Sequence, residues 1–188
     1  MNYLAHLFLA RDTAESLIGN LAGDFVKGRI GDDVPPAIAA GIRHHRRVDA
    51  FTDSHPAVAA FRRVLIPEHG HYARVIADVF FDHFLACDFT RYSSEPLDAF
   101  LSRVYATMNP HIDQLPGRLR AVYPRMRDEG WLSSYRSIDG IRMALGGISY
   151  RLSRRPDLAT AVHFLGDGSR AELEGLFHEF FPSVMGLL

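Results

Sequence analysis

The fifteen residues VIADVFFDHFLACDF, 75–89, give the plainest indication of the fold class. Their apolar members recur every three or four positions, which is the period of an α-helix, and strand-like alternation is missing. One stripe of this predicted helix contains Val75, Asp78, Asp82, Leu85 and Phe89, with His83 beside it. Two carboxylates four residues apart repel each other, and burying them among apolar side chains costs far more unless a positive partner is present. The stretch therefore predicts a largely buried helix whose acidic residues need a cation or arginines.

The same spacing continues along the chain and predicts a single all-α domain, a multi-helix bundle over residues 1–188. Asn2 is placed to cap the first helix, and Gly19 and Gly23 allow close contact between helices. Proline and glycine turns separate the helices. We expect helices near residues 2–10, 13–25, 35–53, 56–66, 71–88, 96–108, 117–128, 138–153, 156–164 and 169–181.

Composition excludes several classes of protein. The 21 Lys and Arg residues balance 22 Asp and Glu residues, whereas a general nucleic-acid binder should be strongly basic. The single cysteine, Cys87, excludes a disulfide within the chain and a cysteine-based zinc cluster. No window reaches the ~18 apolar residues that span a membrane, and the apolar start lacks the basic residues of a signal peptide. We therefore expect a cytoplasmic protein that binds neither membrane nor nucleic acid.

Further polar residues interrupt apolar stripes in the first three predicted helices. His45 and Asp49 lie on the core-facing stripe of the third helix, Asp24 follows an apolar run in the second, and His6 lies among leucines in the first. Each has a simpler explanation: His6 as a core histidine, Asp24 as a cap or arginine partner, and His45 with Asp49 as a hydrogen-bonded pair. Asp78 and Asp82 could likewise pair with arginines. Four helices that each offer a histidine or aspartate nevertheless favour one shared metal site.

Two arginines of the third helix belong to this pattern. Arg46 and Arg47 follow His45 directly and precede Asp49. A guanidinium binds phosphate through two parallel hydrogen bonds, and a phosphate held beside a metal needs such a counter-charge. We therefore include both arginines among the candidate site residues.

Several segments resemble one known family, the bacterial acyl carrier protein phosphodiesterases, also called acyl carrier protein hydrolases. The likeness covers nearly the whole chain and is carried mainly by NYLAHLFLA (2–10), GNLAGDFVKG (19–28), GIRHHRRVDAFTDSHP (41–56) and DVFFDHFL (78–85), and more weakly by Trp131, GGIS (146–149) and SRRPDL (153–158). The resemblance implies an all-helical enzyme, distantly similar to HD-domain metal phosphohydrolases, that removes 4′-phosphopantetheine from holo acyl carrier protein. It also implies a divalent metal, typically manganese. The local order Asp82-His83 reverses the doublet that names the HD proteins, so ligand roles are not copied from them.

On this basis we expect Mn²⁺, or Mg²⁺, to be bound by residues that supply carboxylate and imidazole groups: His6, Asp24, Asp78, Asp82 and His83. A metal-activated water would attack phosphorus while arginine neutralises the developing charge. A carboxylate or His83, where it is not bound to metal, would transfer protons. The expected catalytic residues are Asp24, His45, Arg46, Arg47, Asp49 and His83.

The expected partner is an acidic, helical carrier protein, which an arginine-rich rim would steer into place. Candidate rim residues are Arg43, Arg62, Arg63 and the cluster Arg118, Arg120, Arg125 and Arg127. Two alternatives stay open. The chain could hydrolyse nucleotides or other small phosphodiesters with the same metal site, or it could be a non-catalytic helical binding module whose charged residues form only ion pairs.

Overall fold

The computed structural model describes residues 1–187 and contains only helices, turns and irregular segments there, which confirms the predicted all-α fold. Within these residues, eleven α-helices are joined by short connections, and three 3-10 helices cover Gly70–Tyr72, Asn109–Gln114 and Leu158–Leu165. The α-helices are α1 (Tyr3–Phe8), α2 (Ala14–Ala22), α3 (Pro36–Ser54), α4 (Pro56–His69), α5 (Ala73–Cys87), α6 (Phe89–Tyr92), α7 (Leu97–Met108), α8 (Gly117–Asp128), α9 (Trp131–Ser134), α10 (Ile138–Arg151) and α11 (Arg170–Met185).

Most predicted helices have a counterpart, with differences at their ends and in one helix type. The segment predicted near 156–164 is a 3-10 helix, and α4 continues through Pro67 to His69. The second helix ends at Ala22, and a turn follows in which the backbone N–H groups of Phe25 and Val26 both donate to the Ala22 carbonyl. Asp24 therefore lies in a turn just beyond α2 rather than inside the helix. Within residues 1–187, no helix combines the length and apolarity that crossing a membrane requires.

The buried middle of the bundle is α5, as its apolar sequence predicts. Its phenylalanines meet aromatic residues of α4 and α11, with ring centroids 4.8 Å apart for Phe61 and Phe81 and 5.7 Å apart for Phe84 and Phe177. All four side chains are fully buried. Burial of a side chain of this size contributes about 1.5 to 3 kcal/mol, so this aromatic contact anchors α5 between its neighbours.

Helices α2 and α3 approach until their backbones touch. A Cβ atom on Gly19 would lie 2.4 Å from the Ile38 carbonyl oxygen and 2.7 Å from the Cα atom of Gly41. No larger side chain fits at either glycine without moving one helix. This contact brings the turn after α2, which carries Asp24, against the part of α3 that carries His45.

Candidate metal centre

Two histidines and an aspartate meet where α1 crosses α3. His6 Nε2 lies 3.1 Å from Asp49 Oδ1, and His45 Nε2 lies 3.2 Å from Asp49 Oδ2. The two imidazole rings stack with centroids 3.7 Å apart. One nitrogen or oxygen atom from each of the three residues lies within 4.8 Å of the other two, a spacing that a single ion can bridge. His6 and His45 are buried, whereas Asp49 is one-third exposed.

The backbone of α2 fixes the orientation of His45. Its Nδ1 atom lies 2.8 Å from the Asn20 carbonyl oxygen, which can only accept a hydrogen bond, so Nδ1 carries the proton. In a neutral ring Nε2 is then a bare lone pair, yet it faces Asp49 Oδ2 and also Asp24 Oδ1, at 3.7 Å. Two acceptors face each other in this way only with a second ring proton or a cation between them.

Gly23 provides the space for the His45 ring. A Cβ atom at this position would lie 2.2 Å from His45 Cγ and 2.6 Å from its Nδ1 atom. The ring therefore rests directly on the backbone at the end of α2. The close helix contact predicted for Gly23 is thus a contact with a side chain of the site.

His6 is held neutral by its surroundings. Burial lowers the pKa of His6 to about 3, against the opposing effect of its hydrogen bond to Asp49. Within the described residues, its buried Nδ1 atom has no hydrogen-bond partner. Burial opposes ionisation of Asp49, but its contacts with His45 and His6 and the nearby N-terminal charge outweigh burial and hold the pKa of Asp49 well below its usual range.

The α-amino group of Met1 enters the same cluster from the start of the chain. It donates to Asp49 Oδ1 at 3.3 Å and to Asp78 Oδ1 at 3.1 Å, and it is fully buried. Burial alone would lower its pKa, but the charges of Asp78 and Asp49 outweigh burial and raise the pKa to about 10. One ammonium thus stands against the carboxylates of Asp24, Asp49 and Asp78, which leaves an excess of negative charge.

Asp82 lies next to the cluster but has another function there. Its Oδ2 atom accepts the backbone N–H of Leu4 at 2.7 Å, and its Oδ1 atom accepts that of Ala5 at 3.0 Å. It therefore caps the first turn of α1 from a different helix, a function that the sequence assigned to Asn2. Asn2 does occupy the N-cap position, but its side chain donates to the Tyr135 hydroxyl at 3.1 Å instead.

His83 is not brought to the cluster. Its Nδ1 atom lies 2.8 Å from the Tyr135 carbonyl oxygen, and the Cys87 sulfur lies 3.8 Å from the ring nitrogens. Burial lowers the pKa of His83, against the opposing hydrogen bond to Tyr135. Residues 82 and 83 point about 100° apart on a helix, so the side chain next to Asp82 faces a different neighbour.

The two candidate arginines are engaged by backbone carbonyl groups. Arg46 Nη2 donates to the Val26 carbonyl at 2.9 Å, and Arg47 Nη2 donates to the Leu187 carbonyl at 3.1 Å. The Arg46 contact fastens the turn that carries Asp24 to α3.

Of the predicted residues, the structure thus brings together His6, Asp24, His45, Asp49 and Asp78. Sequence reasoning missed the Met1 amino group and the Asn20 carbonyl, because main-chain groups leave no pattern in a sequence.

Comparison with known proteins shows which family the chain resembles. A family model described as "Acyl carrier protein phosphodiesterase" matches residues 1–184. The acyl carrier protein phosphodiesterase of Serratia proteamaculans is 38% identical over 188 residues, which cover 98% of this chain and 96% of that protein. The protein of the same name from Salmonella agona is 36% identical over 186 residues, with the same coverage. No solved structure matches, so the distant likeness to HD-domain phosphohydrolases stays a prediction. The chain belongs to the acyl carrier protein phosphodiesterase family.

Proposed function

We propose that this protein hydrolyses the phosphodiester that joins 4′-phosphopantetheine to a serine of holo acyl carrier protein. Water supplies its OH to phosphorus and its remaining proton to the serine oxygen, and the bond between phosphorus and the serine oxygen breaks. The products are apo carrier protein and 4′-phosphopantetheine. The names of the relatives support the substrate. The observation that carries the proposal is the meeting of His6, His45 and Asp49 around a position suited to a cation.

The chemistry of these side chains fits a divalent metal. The His45 lone pair faces two carboxylates, and the buried His6 Nδ1 atom lacks a partner within the described residues. His6, His45 and Asp49 would hold the ion, with Asp24 and Asp78 beside it. Two imidazoles with carboxylates suit Mn²⁺ better than Mg²⁺, which prefers oxygen ligands alone. Such an ion, when bound, polarises a phosphoryl oxygen and lowers the pKa of water.

The side chains of the site then have distinct tasks. The Asn20 carbonyl holds the His45 ring through Nδ1–H, so that Nε2 keeps one direction. Asp24 is the most exposed carboxylate of the cluster, with 41% of its side chain accessible, against 33% for Asp49 and 24% for Asp78. Asp24 Oδ1 is therefore the atom best placed to accept a proton from the attacking water and return it to the serine oxygen.

Arg46 would act as a positioning residue. Its hydrogen bond to the Val26 carbonyl ties the Asp24 turn to α3. The guanidinium keeps its positive charge in this contact, because a carbonyl oxygen is a neutral partner, and it lies next to His45 in the chain. Arg47 lies two residues from His45 and donates to the Leu187 carbonyl, so of the two arginines Arg46 is the one that we propose as a counter-charge for the phosphate. Asp82 is left out of the proposed ligand set because backbone N–H groups bind both of its carboxylate oxygens. His83 is left out because its ring lies against Tyr135 and Cys87 rather than at the cluster.

The test is incubation of the protein with holo carrier protein, with Mn²⁺ in one sample and EDTA in the other, followed by mass spectrometry of the carrier. We expect loss of the phosphopantetheine mass only with Mn²⁺. The His45→Ala variant should bind Mn²⁺ weakly and lose activity by more than the roughly 10- to 100-fold typical of a group that merely orients a ligand.

Two results would contradict the proposal. Cleavage of a nucleotide phosphodiester with an untouched carrier protein would favour the small-molecule alternative. No reaction and no Mn²⁺ uptake by the folded protein would favour the non-catalytic module, in which the cluster is only an ion-pair network. Calorimetric Mn²⁺ titration of the same preparation separates these cases.

A further inference from the structure

A groove runs from the candidate metal centre along the start of α5. It has a volume of about 630 Å³, which lies within the usual range for a small-molecule site. One wall is the first half of α5 with the residues just before it, and the other wall is the segment that follows α10. The residues that matter for its chemistry are His71, Val75 and Asp78 on the first wall and Leu152, Ser153 and Arg154 on the second.

Asp78 joins this groove to the site. Its carboxylate accepts a hydrogen bond from the Met1 amino group inside the cluster and also lines the groove. A second groove, of about 300 Å³, lies near Phe8 and Tyr92, and its acidic residues Asp12 and Glu95 are both occupied by Arg103. The second groove has no lining residue from the cluster. Of these two grooves, only the first can hold a molecule whose phosphate is at the metal centre.

The groove is lined by acidic, apolar and polar side chains. Because an α-helix rises 1.5 Å per residue, Val75 lies about 4.5 Å from Asp78 along α5. His71 lies farther along the chain, in the 3-10 helix that precedes α5. Leu152 provides a second apolar side chain, and Ser153 and Arg154 provide polar ones on the facing wall. The groove thus combines an acidic residue shared with the cluster with apolar and polar side chains.

The pantetheine arm carries groups that suit these side chains. Its phosphate is followed by a carbon with two methyl groups, then by a hydroxyl and two amides, and finally by a thiol. We propose that this arm lies in the groove, with its methyl groups against Val75 and its amides toward Ser153 and Arg154. This inference rests on the proposed function and identifies the side on which the 4′-phosphopantetheine product is held, opposite the departing serine oxygen.

The second wall is a defined turn. The Arg155 backbone N–H donates to the Leu152 carbonyl at 3.0 Å, and Arg155 has a φ of 41°, which few residues other than glycine adopt. Strained backbone of this kind persists where the surrounding structure holds it and is often found at ligand sites. Arg154 is exposed on this wall, whereas Arg74 on the facing wall is paired with Asp53. Arg154 is therefore the guanidinium available to donate to the carbonyl oxygens of the arm.

Two variants and one matched control test the proposal. Ser153→Trp fills the groove from an exposed position, and Arg154→Glu reverses its charge. Met143→Trp places the same large side chain on α10 at a residue that is 76% exposed and does not line the groove. We expect both groove variants to lower kcat/KM for holo carrier protein at least tenfold and the control to leave it unchanged. Circular dichroism melting and Mn²⁺ affinity should stay the same in all three.

Calorimetric binding of free 4′-phosphopantetheine to the Mn²⁺-loaded protein is the second measurement. We expect Ser153→Trp to weaken this binding at least tenfold, which assigns the groove to the arm itself rather than to the carrier protein. Unchanged binding and unchanged kcat/KM in both groove variants would overturn the proposal. If the wild type leaves holo carrier protein intact, the proposed function fails, and the binding measurement still decides whether the groove accepts the arm. A loss of kcat/KM with unchanged binding of the free arm would also contradict the proposal, because it would assign the groove to the carrier protein surface.

Discussion

Replacement of Asp82 by alanine should destabilise the protein without changing how its stability depends on metal. The carboxylate is fully buried and accepts the N–H groups of Leu4 and Ala5. Alanine leaves both donors buried without a partner, and each such group costs about 1 to 3 kcal/mol. The free energy of unfolding should therefore fall by about 2 to 6 kcal/mol, which is a large share of the ~5 to 15 kcal/mol that holds a typical domain together.

The Asp82→Asn variant keeps the measurement possible if Asp82→Ala does not fold. The introduced amide would retain one oxygen acceptor but present an N–H₂ group to the other backbone donor, so we expect about half of the loss seen with alanine. Burial raises the pKa of Asp82 to about 7, against the opposing hydrogen bonds from Ala5 and Leu4. Because the raised pKa means that ionising the buried carboxyl costs stability above its ordinary pKa of 3.8, the loss of stability on substitution should be larger at pH 5 than at pH 8.

The assay is urea unfolding followed by circular dichroism, in Mn²⁺ and in EDTA. If Asp82 caps α1, the free energy of unfolding should fall by the same amount in Mn²⁺ and in EDTA. If Asp82 is a metal ligand, the fall should be larger in Mn²⁺. Asp78→Asn is the control, because Asp78 is one-quarter exposed and touches the cluster but not the first turn of α1. A loss below about 0.5 kcal/mol for Asp82→Ala, the usual size of a neutral surface change, would refute the capping role. A loss that occurs only with Mn²⁺ would refute it as well.

Two further outcomes follow from the contacts around the histidines. Gly23→Ala should displace the His45 ring and lower both Mn²⁺ affinity and the rate of hydrolysis at least tenfold. The control Gly168→Ala, at a glycine with open space around it, should change neither quantity. Calorimetry measures the affinity, and mass spectrometry of the carrier protein measures the hydrolysis. The pKa of His6 is about 3 in the folded protein and 6.5 in the unfolded chain, so below pH 6.5 the unfolded chain binds a proton that the folded protein does not. The free energy of unfolding should therefore fall by about 2 kcal/mol between pH 6.5 and 5. Urea titrations across this pH range should show a flatter dependence in His6→Gln.

Helical periodicity was enough to predict the all-α fold, because every buried helix needs an apolar stripe and each turn needs its glycine or proline. The prolines at 35, 36 and 56 correctly placed the start of α3 and the break between α3 and α4. The short helices α6 and α9 have only four residues each and carry no full stripe, so periodicity could not reveal them.

The candidate site could be predicted in part for the same reason. His6, His45 and Asp49 stood out because polar groups on apolar stripes need partners. The sequence could not distinguish Asp78 from Asp82, since both lie on one stripe of α5 and only the position of α1 decides which of them meets backbone N–H groups. It also grouped His83 with Asp82 by adjacency, whereas the fold turns His83 toward Tyr135. Contacts between residues of distant segments produce no regular spacing in the sequence, so they could not be predicted from it.

The buried amino group of Met1 has a practical consequence for handling the protein. A peptide joined to this nitrogen removes its positive charge from between Asp49 and Asp78 and has to leave a fully enclosed position beside the histidines. Purification tags, fluorescent fusions and surface-coupling chemistry aimed at the α-amine would therefore disturb the centre that they are meant to report on. Attachment at the carboxyl end, or at an exposed side chain such as Met143 after substitution, leaves this nitrogen as it is.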